Sequence, residues 1–289
     1  MPEPPPNLIM HQLSGALGVE ICDIDVVTES SATTWSRVRA ALITHGLLLF
    51  RQQSLGAVQM EALGGQFGTV MRPEWVISKN FAPDSDKVFV LSSRPNSMRY
   101  AGLGWHADYS FVQKPADLSW LYLHTVPDVG GDTAFANMTA AFEALSPRMQ
   151  TYLEGLEAVH DNRHRHRYQS FNDEYTVSVE ELSKLPPVKH PVVNVHPQTG
   201  RRSLFVSETL VTHILDLPAR ESDSVLRFLN EHCAQPEFIY RHRWQASDLI
   251  VWDNRRVNHT AIRDYDPDNV REGFLASGFT DPSLPGFNG

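Results

Sequence analysis

From residue 118 onward the chain is cut into short apolar stretches by glycine, proline, asparagine and aspartate. Closely spaced stretches with turn signals between them imply many short strands that pair across the fold, which predicts a sandwich or barrel. Strands are expected over residues 119–126, 132–136, 156–160, 189–195, 203–207, 237–244, 248–252, 257–262 and 273–279. In the stretch 237–244, Phe238, Tyr240, His242 and Trp244 alternate with Ile239, Arg241 and Arg243, as a half-buried strand requires. Gly130-Gly131 gives a tight turn that needs positive φ. Asn137 and Ser146-Pro147 each open a helix, and a further helix from Pro218 sets Val225, Leu226, Leu229 and Cys233 toward the core.

The N-terminal third mixes both element types. A strand pair is expected over 8–13 and 19–21, then a helix capped by Thr33 or Thr34 with Trp35, Val38 and Leu42 on one face. The uninterrupted apolar run 46–50 reads as a buried strand, followed by a helix near 57–67 and a strand over 87–92. A loop over 94–103 leads into Trp105-His106-Ala107-Asp108. No repeat and no second domain is visible, so residues 1–289 are expected to form a single domain. Residues 1–7, rich in proline, are expected to be a disordered arm. The polar stretch 161–187, with Arg163-His164-Arg165-His166-Arg167, has the length of a lid insertion.

Composition narrows the function classes. With 42% hydrophobic and 20% charged residues, the chain can bury a sizeable core. A net charge of −9 argues against a nucleic-acid partner held by a basic surface. No apolar run is long enough to span a membrane, and the proline-rich start lacks the features of a signal peptide. Two cysteines, Cys22 and Cys233, far apart in sequence, read as reduced thiols in a cytoplasm.

In an extended segment, His106 and Asp108 project to the same face and offer two of the three ligands of an open-sided iron site. Among 13 histidines and 34 acids such a pair arises easily by chance. Its company is more specific: Gly130-Gly131-Asp132-Thr133, Trp252-Asp253-Asn254-Arg255 with His259, and Arg271, in that order. With these motifs the chain resembles the TauD/TfdA family of Fe(II)- and 2-oxoglutarate-dependent dioxygenases, from about residue 13 to 279 and most closely over 118–142, 190–206 and 238–259.

The resemblance implies a mainly β fold with flanking helices around a double-stranded β-helix (jelly-roll, cupin-like) core. It implies that His106, Asp108 and His259 hold Fe(II), and that Thr133 and Arg271 bind the far carboxylate of 2-oxoglutarate. Arg263 is the rival for that carboxylate. Oxygen would be consumed and succinate and CO2 released while an aliphatic C–H of a small organic substrate is oxidised by hydroxylation, desaturation or epoxidation. A carboxylate at position 108 fits this chemistry better than halogenation. The implied partners are a small-molecule substrate and other copies of the chain in a homo-oligomer, with no nucleic acid and no membrane.

The family pattern breaks at the substrate. Leu275 stands four residues past Arg271, where an anion-reading arginine is expected, and Asn162 and Leu210 replace expected aromatics. A leucine cannot pair with a sulfonate, so taurine is expected to be a poor substrate. The basic run 163–167 is the other source of a cation, and Trp75, Arg99 and Tyr100 are expected to border the pocket. The alternative reading is a non-oxidative metal-dependent hydrolase or isomerase built on the same three ligands.

Overall fold

The computed structural model describes residues 8–73, 81–94, 102–164, 183–266 and 268–280. A hairpin of β1 (Met10–Gln12) and β2 (Val19–Ile21) precedes α1 (Ala32–His45). Ser31 caps α1 by accepting the Thr34 N–H, one turn earlier than expected, because the capping oxygen must precede the first helical residue. Then come β3 (Leu47–Phe50), α2 (Ala57–Phe67), β4 (Thr69–Val70) and β5 (Phe89–Ser92). The middle of the chain forms β6 (Leu118–Thr125), β7 (Thr133–Asn137), α3 (Met138–Glu143), α4 (Pro147–Leu153) and β8 (Glu157–His160). Asn137 and Ser146 cap the two helices as expected, accepting from Ala140 and Met149. Next are β9 (Val188–Pro191), β10 (Val193–Val195), β11 (Arg202–Leu204), β12 (Val211–Ile214) and α5 (Ala219–Cys233). The chain finishes with β13 (Ile239–His242), β14 (Asp248–Asp253), β15 (Val257–Ala261) and β16 (Glu272–Phe279).

The large sheet runs β1-β2-β3-β14-β6-β16-β4, with β5 also on β16; only β2 and β3 are parallel. Among the described residues three shorter sheets, β13-β7-β15, β12-β8-β9 and β10-β11, complete the β structure. The apolar runs of the large sheet are explained by burial on both faces. Leu48, Phe50, Trp120, Tyr122, Leu249 and Val251 pack with Trp35 and Val38 of α1 and Met60 and Leu63 of α2. The alternate residues Leu47, Leu49, Leu121, Leu123, Ile250 and Trp252 pack with Phe135, Trp244 and Val257 from the opposing β7–β15 region. Two strand faces, each closed by its own layer, give a mainly β fold of the jelly-roll type with flanking helices.

Several boundaries differ from expectation. The strand expected over 189–195 breaks at Val192, whose N–H donates to Leu156 and whose carbonyl accepts from Phe205. The strand at 203–207 ends at Leu204, and a 3-10 turn (Pro236–Phe238) shortens the one at 237–244. The segment around Asp108 is not a strand: His106 makes a single bridge and a turn follows. Among the described residues no helix is long and apolar enough to cross a membrane.

Candidate metal centre

His259 lies on β15, and His106 pairs with it as an isolated antiparallel bridge. Each backbone N–H donates to the other's carbonyl, at 3.1 and 2.8 Å, which brings the ring centroids to 4.2 Å. The chain then turns through residues 108–110, with Tyr109 at φ 59°. A positive φ at a tyrosine is uncommon and stores local strain of the kind found at functional sites. The turn, not strand alternation, delivers Asp108: its Oδ1 lies 3.7 Å from Nε2 of both His106 and His259.

These distances are too long for hydrogen bonds and short enough to surround a common centre. One ligand atom from each of the three residues lies within 4.8 Å of the others, and all three residues are buried. The Nδ1–H of His106 donates to the Gly104 carbonyl at 2.8 Å, leaving Nε2 with its lone pair toward Asp108. Asp108 Oδ2 is buried and has no hydrogen-bond partner among the described residues. A carboxylate that is desolvated and incompletely paired is costly, and a divalent cation satisfies it. Two imidazoles and one carboxylate suit Fe(II) with coordination positions left open.

A second group of polar atoms lies along the same face. His259 is opposite Phe135, and Ala261 opposite Thr133, so Thr133 sits diagonally across from His259. Thr133 Oγ1 accepts the indole N–H of Trp244 at 2.9 Å and a guanidinium N–H of Arg271 at 3.2 Å. Arg271 also donates through Nε to the Gly131 carbonyl at 3.0 Å. Burial pushes its pKa down to about 10, and Tyr265 and Asp132 oppose the shift only partly. Asp132 itself is engaged by Arg241, which also bridges to Asp264. No ion pair holds Arg271 among the described residues, so a desolvated cation waits beside a hydroxyl, as an anionic carboxylate requires. Arg263, the rival, is exposed. Trp244 enters the sequence pattern only as one member of the alternation over 237–244, and its bond to Thr133 left no mark there.

The Trp252-Asp253-Asn254-Arg255 motif builds the turn that launches β15. Asp253 accepts from His196 at 2.8 Å and from Arg255 at 2.8 and 2.7 Å, and the Trp252 indole donates to Asn254. Burial alone would raise the Asp253 pKa, but Arg255 and His196 hold it far below the usual carboxylate range.

Of the expected substrate residues, Leu275 on β16 pairs in register with Leu121 and Phe89 and packs against the cluster containing Trp252 and Phe135. Leu210 is fully buried with Phe111 and Val112, while Tyr109 and Leu185 pack alongside. Its carbonyl accepts the Asp161 N–H, which sets Asn162, half-buried, next to this wall. Arg163 is exposed and its guanidinium engages the Asp161 carboxylate, so that part of the basic run is already neutralised. Trp75, Arg99, Tyr100 and residues 165–167 lie outside the described residues.

A family model described as "Taurine catabolism dioxygenase TauD, TfdA family" matches residues 10–276. The chain is 35% identical to an alpha-ketoglutarate-dependent 2,4-dichlorophenoxyacetate dioxygenase of Cupriavidus pinatubonensis, over 91% of this chain and 93% of that enzyme. It is 32% identical to an alkylsulfatase of Acinetobacter baylyi, over 91% of this chain and 82% of that protein. Among solved structures it resembles that of AAD-2 in complex with Mn(II) and N-oxalylglycine, with TM-score 0.85, 27% identity, and coverage of 94% of this chain and 97% of that one.

Proposed function

Because the chain belongs to the TauD/TfdA family of 2-oxoglutarate-dependent dioxygenases, which use Fe(II), 2-oxoglutarate and O2, we propose that it oxidises an aliphatic C–H of a small organic molecule other than taurine. The outcome is hydroxylation or, on a suitably placed substrate, desaturation or epoxidation. His106, Asp108 and His259 hold the metal, and Thr133 and Arg271 hold the far carboxylate of the cosubstrate. When bound, Fe(II) and 2-oxoglutarate supply the oxidising chemistry, with succinate and CO2 as by-products.

The chain's own residues bind, orient and exclude water. The bond from His106 to Gly104 fixes the ring tautomer, and the His106–His259 bridge fixes the spacing of the two imidazoles. Arg271 and Thr133 neutralise and orient the oxoacid at its distal end. Tyr109, Phe111, Val112 and Leu210 supply an apolar wall beside Asp108. Leu275 offers no charge to an anionic substrate, which supports an uncharged or weakly charged molecule larger than taurine. A hydrolase or isomerase on the same ligands has no use for the desolvated Arg271 beside Thr133.

The observation that carries the reading is the buried Asp108 carboxylate, 3.7 Å from both imidazole nitrogens and with Oδ2 lacking a hydrogen-bond partner among the described residues. The test is succinate release from 2-oxoglutarate by the Fe(II)-loaded protein across a panel of candidate substrates. Stimulation by an apolar compound and none by taurine is expected; stimulation by taurine alone would reject the substrate assignment. The cysteines Cys22 and Cys233, both free thiols, support a cytoplasmic enzyme. The same reading has one catalytic unit over residues 1–289 working as a homo-oligomer; residues 1–7, the expected arm, and 165–182, the bulk of the expected lid insertion 161–187, lie outside the described residues.

A further inference from the structure

Thr133 Oγ1 accepts two hydrogen bonds, from the Trp244 indole and from Arg271. A hydroxyl has two acceptor positions and one proton. With both acceptor positions taken, the proton must leave along the remaining direction, away from Trp244 and Arg271. We infer that Trp244 is a positioning residue for the oxoacid: its indole N–H fixes the Thr133 hydroxyl as a donor aimed at the distal carboxylate. The inference rests on the assignment of Thr133 and Arg271 to that carboxylate.

Trp244 is itself held on several sides. It is buried, lies 5.7 Å from the Arg271 guanidinium across its ring, and meets His242 edge-on at 4.6 Å. His242 is opposite Thr133 in the β13–β7 register. It is fixed at both nitrogens, by the Tyr240 hydroxyl at 2.8 Å and by Asp248 at 3.1 Å, and Arg51 pairs with the same Asp248 oxygen at 2.8 Å. A chain of contacts thus runs from Arg51 through Asp248, His242 and Trp244 to Thr133. Its consequence is a hydroxyl whose direction is set before the oxoacid arrives, so little reorganisation is needed on binding.

The test measures binding, not turnover. Calorimetric titration of the Mn(II)-loaded protein compares 2-oxoglutarate with 2-oxobutyrate, which has the same oxoacid end and no distal carboxylate. Trp244→Phe is expected to weaken 2-oxoglutarate about fivefold or more and to leave 2-oxobutyrate within about twofold, the scale of one hydrogen bond. In a Thr133→Val background the same change is expected to add nothing further, because the bond it removes is already gone. Equal weakening of both oxoacids, or an undiminished effect in the valine background, would reduce Trp244 to packing and overturn the inference. If Thr133→Val and Arg271→Gln both leave 2-oxoglutarate affinity unchanged, the carboxylate assignment itself falls, and the inference with it. Should the phenylalanine variant not fold, 3-benzothienylalanine at position 244 removes the N–H while keeping the indole's shape, with the same outcomes.

Discussion

At the scale of single residues, the site depends on atoms that the protein alone leaves incompletely satisfied. Asp108 is the clearest, since only its geometry with the two imidazoles makes use of its burial. Asp108→Ala removes the one anionic ligand and is expected to lower Mn(II) affinity by about 100-fold or more, beyond the roughly 10–100-fold that loss of a ligand's own hydrogen-bond partner costs. Calorimetry with Mn(II) reads this directly, and unchanged affinity would remove Asp108 from the metal site. Leu275 invites the opposite experiment. Leu275→Arg places a guanidinium beside the Trp252–Phe135 cluster, at a cost on the order of 2 kcal/mol or more for a partly buried unpaired charge. Taurine is then expected to raise the melting temperature of the variant and not that of the parent. Equal response of both proteins to taurine would show that position 275 does not read the substrate.

At the scale of elements, the longer strands of the large sheet were legible and the turn at the metal centre was not. Leu47, Leu49, Leu121 and Leu123 on one face, with Leu48, Phe50, Trp120 and Tyr122 on the other, carry a two-sided apolar pattern that any strand reading detects. The strand β12 escaped because Thr212 and His213 break its apolar run, and β4 because it is two residues long. The ligand set was legible as residue types in order, but the route to it was not: a positive φ at Tyr109 answers to tertiary packing, which no local preference reports. Trp244 marks a related limit, since alternation tells which way a side chain faces and not what its N–H meets. The Gly130-Gly131 turn shows what local chemistry does report. Both glycines have positive φ, and a Cβ on Gly130 would meet the Asp264 carbonyl oxygen at 2.6 Å. Gly131 supplies the carbonyl that accepts Arg271 Nε, so displacement of this turn displaces the guanidinium. Gly130→Ala is therefore expected to cost about 1–3 kcal/mol in denaturant unfolding and to weaken 2-oxoglutarate binding. A variant with unaltered oxoacid affinity would uncouple the turn from Arg271.

At the scale of the whole molecule, buried histidines set the acid side of stability. His160 is fully buried and stacks on Phe205 at 5.2 Å, and neither ring nitrogen has a hydrogen-bond partner among the described residues. Burial, reinforced by His190, holds its pKa well below the ordinary histidine value. Burial also lowers His190 and His242, although backbone carbonyls of Val112 and Ser110 oppose this at the first and Asp248 at the second. In each case the unfolded chain takes up a proton near pH 6.5 that the native state refuses. Stability is therefore complete above about pH 6.5 and falls as pH drops from there toward each lowered folded value, by up to about 1.4 kcal/mol per pH unit for each histidine. A second loss follows below about pH 4, where Asp253, held low by Arg255 and His196 against its burial, must be protonated in the unfolded chain. His160→Phe separates the first window from the second. It keeps the ring stack on Phe205, removes two buried polar nitrogens, and is expected to stabilise the protein by about 1–2 kcal/mol at pH 7. Between pH 6.5 and 5.5 it should lose about 1 kcal/mol less than the parent, with the decline below pH 4 unchanged. Urea unfolding at a series of pH values measures both windows, and parallel curves for variant and parent would show that His160 takes up its proton in the folded protein as readily as in the unfolded chain.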